Sequence, residues 1–579
     1  MNINHDLLTV AERTAFRQSG RSDEVARLCA AYAQAWPKEV QVLEFGHSAE
    51  GRPMLALLAC RSDPRAVPLL MIQAGIHPGE SDGKDAGFIA LRELLSGAAA
   101  PGALQKVAVL FVPAFNVDGH ERVGRWNRPN QNGPEQTGWR TTAQNLNLNR
   151  DYTKADAPEM QALLRLINAW DPLVLADLHV TDGADFEPDV SIQVEPIHQG
   201  DPNLYPIGRQ LRDSLIDRLA AQGSLPLPFY PDLARADDPT SGFVLSVYSP
   251  RFSTGYLPAR NRFTVLVETH SWKDYATRVR VTRNTIVALA ELLGEHGSAW
   301  RQAAARADRD AASLAGREIA LDYSSGWRET SRVGAAVAEP ASDEGTLIDF
   351  RGYAYTRTAS PISGALVTTY DPHTAQVWRV PLRDRVRPSM LATVPRAYLV
   401  PPAYAAAMAA RLDLHGIRFE QMDHSLRKAA VEAFRATRVT FSQTPFEGRL
   451  RAALEGRWDA EALDLASGSL MVPTAQPLAR LIVALFEPQA PDSFAAWGFF
   501  NAHFEQKEHM EPYVAEQIAR EMLDRDSELA RQFNEKLCAD AAFAADPAAR
   551  LEFFLRRHPS WDERYNLYPV YRAHERFGR

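Results

Sequence analysis

The stretch VPLLMIQAGIHPGE, residues 67–80, runs from an unbroken apolar segment into a glycine, a histidine and, three residues later, a glutamate. An apolar run of this length reads as a strand buried on both faces, as in parallel sheets covered by helices. The next segment, KDAGFIALRELLSG (84–97), carries its apolar residues at helical spacing. His77 and Glu80 therefore stand in the loop that leaves the C-terminal end of a buried strand. In open α/β sheets that edge is where ligands bind.

The same alternation extends outward. EVQVLEFG (39–46) and MLALLACR (54–61) flank a Gly- and Pro-containing turn and predict a hairpin. VAVLFVPAFN (107–116), LVLADLH (173–179) and FTVLVETH (263–270) read as further buried strands. Helical patterns lie over 157–170, 203–223 and 275–296. The order implies an α/β layer with a mainly parallel sheet. Beyond about residue 300 the texture changes. Short runs such as GTLIDFRGYAYT (345–356) predict an α+β accessory segment over 301–440. PYVAEQIAREMLD and ARLEFFLRRH predict a mostly helical region over 441–579. No chemistry attaches to this half, and the aromatic cluster WGFFNAHF (497–504) reads as core.

The chain has 579 residues, 45% hydrophobic and 23% charged, so two or three domains are expected for 1–579, the first ending near 300. A net charge of −8 with scattered basic residues gives no reason to expect nucleic acid or a membrane surface as partner. Three distant cysteines, Cys29, Cys60 and Cys538, make neither a disulfide framework nor a thiolate metal site. The N-terminal stretch shows no secretory signal pattern, which favours a cytoplasmic location.

Polar groups recur at the strand ends. His77 and Glu80 follow the first stretch, Asn116 and Asp118 follow VAVLFVPAF, His179 ends LVLADL, and Glu268 ends FTVLV. Two imidazoles and one carboxylate, His77, Glu80 and His179, form a catalytic zinc set that leaves one position open. Glu268 is a further carboxylate placed to act as general base on water activated by the metal. GHSAEG (46–51) repeats the spacing with His47 and Glu50, but it sits in the hairpin turn and has no partner ligands.

Together GIHPGE, FNVDG (115–119), NLNRDY (147–152), LADLH (175–179) and VLVETH (265–270) resemble the zinc metallocarboxypeptidases, the carboxypeptidase A-like family, over about residues 45–290. The resemblance implies a mixed, largely parallel eight-stranded sheet flanked by helices. It also implies one Zn2+ per chain and hydrolysis of the C-terminal bond of peptides with a free carboxylate. On the same resemblance, Asn149 and Arg150 grip that carboxylate, an arginine (Arg128 ahead of Arg125 and Arg140) stabilises the oxyanion, and Tyr248 closes over the substrate. Tyr256 is the other tyrosine candidate and is taken as a substrate-binding residue. Arg251, Arg260 and Arg262 raise the expectation of an acidic C-terminal side chain. The family usually has Asp where this chain has Asn147, a neutral partner for the first zinc histidine, and Asp118 or Asp177 could compensate. Rival readings are an amidase or deacylase on the same scaffold, or a peptide-binding protein without catalysis.

Overall fold

Val40–His47 (β1) and Pro53–Ala59 (β2) form the expected hairpin, paired from Val40↔Ala59 to His47↔Pro53. Six further strands complete one sheet or extend beside it: β3 (Leu69–Ala74), β4 (Ala108–Val112), β5 (Val174–Val180), β6 (Val190–Glu195), β7 (Pro226–Leu227) and, after the short β8 (Phe243–Val244), β9 (Phe263–Thr269). The computed structural model describes residues 5–325 and 345–575. The sheet order is β1-β2-β4-β3-β5-β9-β6-β7. The pairs β3/β4, β3/β5, β5/β9 and β6/β7 are parallel, whereas β1/β2, β2/β4 and β6/β9 are antiparallel. The expected mixed α/β sheet is thus present.

Every residue of β3, β4 and β5 is buried. The helices Asp82–Ser96 and Tyr275–Ala311 pack on each other and on β3. Each Leu or Ile fully buried this way contributes about 2 kcal/mol relative to exposure, so the strand ends that carry His77 and His179 are anchored in the apolar core. Strand β6 escaped the sequence reading. VSIQVE mixes polar and apolar residues, because its Ser191 and Gln193 are buried yet bonded to the Phe229 and Ser246 carbonyls.

The second half begins without a break. Helix Tyr275–Ala311 crosses the boundary expected at 300/301, and one apolar cluster runs from Leu7 through the sheet to Val570. β10 (Glu318–Ser324) pairs with β13 (Arg387–Thr393). β11 (Thr346–Ala359) and β12 (Leu366–Arg383) form a long hairpin, and the end of β12 pairs in parallel with β8. A second sheet holds β14 (Ala397–Val400), β15 (Glu420–Gln421), β16 (Leu426–Phe441), β17 (Ala452–Leu465), β18 (Leu470–Pro473) and β19 (Tyr571–Ala573), in the order β15-β18-β14-β19-β16-β17. The boundary expected at 440/441 falls inside the β16–β17 hairpin, so that division is corrected. Helices do dominate 512–555, but β17, β18 and β19 tie the last region to the sheet begun at Ala397. Among the described residues no helix is long and apolar enough to cross a membrane.

Candidate metal centre and its cleft

His77 and Glu80 lie in the turn between β3 and helix Asp82–Ser96, where the Glu80 N–H donates to the His77 carbonyl at 2.9 Å. His179 ends β5 and pairs in register with Glu268 on β9. In parallel strands such neighbours point to the same face, so one edge of the sheet presents three of the four groups' backbones side by side. The side chains converge. Nδ1 of His77 is 3.1 Å from Glu80 Oε1, and Nδ1 of His179 is 3.1 Å from Glu80 Oε2. One donor atom from each of His77, Glu80 and His179 lies within 4.8 Å of the others, and all three residues are buried. Two imidazole nitrogens and a carboxylate oxygen are the donor chemistry of zinc, so these residues fit the metal.

The electrostatics suit a cation. Burial holds His77 down to about 4, so its ring is neutral and its nitrogen free to ligate. Burial opposes charge on Glu80 too, but Arg128, His77 and His179 outweigh it and hold the carboxylate well below its ordinary range. For His179, burial is overcome by Asp177, 3.1 Å from Nε2, and by Glu80, which raise the imidazole well above its ordinary value. A cation bound among the three ligands takes the place of that proton. Asp177 is itself held by Gln73 at 2.9 Å and Ser253 at 2.6 Å, which fixes the ring. Burial pushes Glu268 up to about 8; His179 opposes this, while Glu80 and Asp182 add to it.

Arg128 reaches Glu80 Oε1 at 3.0 Å and donates to the Val180 carbonyl at 3.2 Å. Its path crosses Gly79, where an added Cβ would lie 2.3 Å from Arg128 Cγ. Arg140, more exposed, stands 3.7 Å from the same oxygen, whereas Arg125 lies over the exposed Trp126 ring. Asn149 and Arg150 occupy a short 3-10 turn, Leu148–Arg150, capped by Asn147. The Arg150 guanidinium lies over the Phe252 ring, and among the described residues no carboxylate pairs with it. Burial, then Arg251 and Arg140, push it down to about 10, so it is a cation kept among cations. The Tyr248 hydroxyl is raised by burial and by Asp232 and Glu268, while Arg150 opposes, and its ring packs on Phe252 at 5.1 Å, the same ring that the Arg150 guanidinium covers.

Residues 25–185 match the family model described as zinc carboxypeptidase. That segment is therefore similar to the zinc carboxypeptidases. A relative named Carboxypeptidase 2 from Trichophyton tonsurans is 36% identical over 104 residues, 18% of this chain and 19% of that protein. The protein of the same name from Trichophyton rubrum is 33% identical over 111 residues, 19% of this chain and 20% of that protein. The chain thus aligns with about a fifth of the length of these relatives. Among solved structures, a metallo-carboxypeptidase from Burkholderia cenocepacia aligns at 18% identity over 49% of this chain and 70% of that one, with a TM-score of 0.37.

The matched range holds His77, Glu80, Arg128, Asn149, Arg150 and His179 but ends before Glu268. The pairing of β5 with β9 is what brings Glu268 to them. Other expectations are corrected. Tyr256 does not reach the cleft: it is fully buried, and its hydroxyl is 2.9 Å from His415 Nδ1 of the second half. Asn116 caps the helix Val117–Glu121, and Asp118 accepts from Ser48 Oγ at 2.7 Å and from the Glu50 N–H at 3.1 Å, so neither serves the site. Asp177 backs His179 and not His77. His47 and Glu50 stay in the hairpin turn, paired with Glu44 and Arg52. Arg251 is bound to Asp492, Arg260 to the His415 carbonyl and Arg262 to Asp171 and Asp308, which removes the basis for an acidic side-chain preference. Tyr230, Asp182 and Asp232 near Glu268 and Tyr248 went unnoticed in the sequence, for they sit in loops with no periodicity.

Proposed function

We propose that this chain is a zinc-dependent metallocarboxypeptidase that removes the C-terminal residue of peptides. One observation carries the reading: His77, Glu80 and His179 form a buried donor set with Glu268 in register beside His179, and the Arg150 guanidinium, stacked on Phe252, pairs with no carboxylate among the described residues. A zinc ion held by the three ligands would polarise the scissile carbonyl and lower the pKa of water to ~7. Arg150 is a planar fork matched to a carboxylate, and with Asn149 it docks the free C-terminus of the substrate. That docking fixes which peptide bond stands before Glu268. Glu268 takes a proton from the attacking water and delivers it to the leaving amine. Arg128 and Arg140 face the oxygen on which negative charge develops. Tyr248, which shares the Phe252 ring with Arg150, covers the bound residue.

The test uses a blocked dipeptide with a free C-terminus and its C-terminal amide. The full chain loaded with zinc is expected to cleave the acid and spare the amide. Glu268→Gln is expected to retain zinc and lose about 10³-fold in kcat, within the range for a general acid–base. Equal cleavage of acid and amide overturns the role of Arg150, and a Glu268→Gln variant as fast as wild type overturns that of Glu268.

A further inference from the structure

The outer nitrogen of His77, Nε2, faces a neutral amide: Asn147 Oδ1 at 3.1 Å. That oxygen also accepts the Asn149 N–H at 3.0 Å, so both of its lone pairs are engaged, one toward a zinc ligand and one toward the carboxylate-docking turn. Everything Asn147 does therefore depends on where its backbone is held. Its own N–H donates to Glu447 Oε2 at 2.8 Å, three hundred residues away in sequence.

Glu447 stands at the tip of the loop between β16 and β17. Phe446 and Arg449 exchange backbone bonds of 2.9 and 3.1 Å, which closes a two-residue turn. Both central residues are left-handed, Glu447 at φ 51° and Gly448 at φ 76°. Such primed turns select Asn, Asp or Gly at the first central position, because a longer side chain there meets its own backbone. A glutamate in that place is locally disfavoured, and its carboxylate is what the position gains. The tip is held by groups of both halves. Arg449 grips Asp156 with two bonds of 2.6 and 2.7 Å, and Phe446 stacks on Trp497 at 6.0 Å while Arg251 lies over its outer face. The Glu447 charge also favours the charged form of Arg150.

We propose that Glu447 is a positioning residue for the zinc site, supplying from the second half of the chain the negative charge behind His77 that Asn147 lacks. Carboxylates behind metal-ligating imidazoles orient the ring and raise its basicity. Here the carboxylate acts through one intervening residue, and it holds the docking turn of Asn149 and Arg150 at the same time. The inference rests on the reading of His77 as a zinc ligand.

The experiment compares full-length wild type with Glu447→Gln, Glu447→Asn and the double variant Asn147→Asp/Glu447→Gln. Zinc affinity of the metal-free chains is measured by chelator competition, kcat and KM on the blocked dipeptide, and Tm by circular dichroism. Glu447→Gln is expected to weaken zinc binding about tenfold, at the low end for a partner of a metal-bound histidine, and to lower kcat more than it raises KM. Glu447→Asn, which suits the turn better, is expected to show the same loss with Tm unchanged or higher. The double variant, with a carboxylate directly behind His77, is expected to regain zinc affinity. Wild-type zinc affinity in Glu447→Gln, or a loss that follows Tm and is not rescued by the second substitution, overturns the inference while leaving the proposed function standing. A wild-type chain that takes up no zinc overturns the proposed function and this inference with it.

Discussion

At the residue scale the site is a set of charges arranged to be exchanged for a cation. His179 lies between Asp177 and Glu80, which raise its folded-state pKa well above the ordinary value and so favour the charged ring when no cation is bound. A ligand must be neutral, so zinc uptake expels that proton. Affinity is then expected to rise with pH through the neutral range, with about one proton released per zinc at pH 7. Calorimetry in buffers of different ionisation enthalpy measures the number directly, and a buffer-independent heat would contradict the assignment of His179. Arg150 offers a second check. Arg150→Lys keeps the charge but loses the fork and the stacking on Phe252. It is expected to raise KM by about tenfold, one bidentate bond's worth at ~1.4 kcal/mol, with zinc content unchanged.

The elements explain why these residues meet. A parallel strand end, a short turn and a helix start place His77 and Glu80, and the adjacent strand end places His179 beside Glu268. The turn after β3 also has to let Arg128 pass, and only a residue without a Cβ leaves the room at position 79. Gly79→Ala meets Arg128 at Cγ, close to its backbone, and the Gly138 carbonyl at 3.3 Å, so it is expected to lower Tm and to push Arg128 off Glu80. The expected cost is ~10²-fold in kcat with little change in KM, as for loss of one oxyanion donor. Steady-state kinetics on the blocked dipeptide reads both constants, and an unchanged kcat would show that Arg128 does not serve the oxyanion.

Across the whole molecule, the two halves share one core and meet at charged clamps. Asp156, mostly buried, receives Arg449, Arg411 at 3.1 Å and, at 3.5 Å, the fully buried Lys154. Arg251 meets Asp492, and Trp497 Nε1 donates to Thr153 Oγ1 at 3.0 Å. Asp156→Ala would leave Arg449 and Arg411 without their carboxylate, while Lys154 keeps its pair with Asp151, and is expected to destabilise the fold by about 3 kcal/mol. Chemical denaturation should show a single transition at a lower midpoint. Two separate transitions in the wild type would show that the halves fold independently.

The order of buried strands and helices up to residue 290, the hairpin and the group of His77, Glu80 and His179 were all legible in the chain. Continuous apolar runs can only be strands covered on both faces, and polar residues at their ends can only be where the cover stops. The spacing of His77 and Glu80 proposed a site, and GHSAEG shows that the same spacing also serves a turn. What separates the two is strand-end position, which the flanking apolar pattern records. The second half was not legible in this way. Its strands are half-exposed and mix polar with apolar residues, and its sheet joins Ala397 to Ala573, a pairing between segments with no local signature. Tyr256 and Tyr248 look alike in sequence, and only the packing of His415 against one of them sends it into the core. The bond from Glu447 to Asn147 is of the same kind. Periodicity and turn chemistry are local, so they determined the elements and the ligand set, whereas contacts made three hundred residues apart exist only once the sheet, the helices and the two halves have packed.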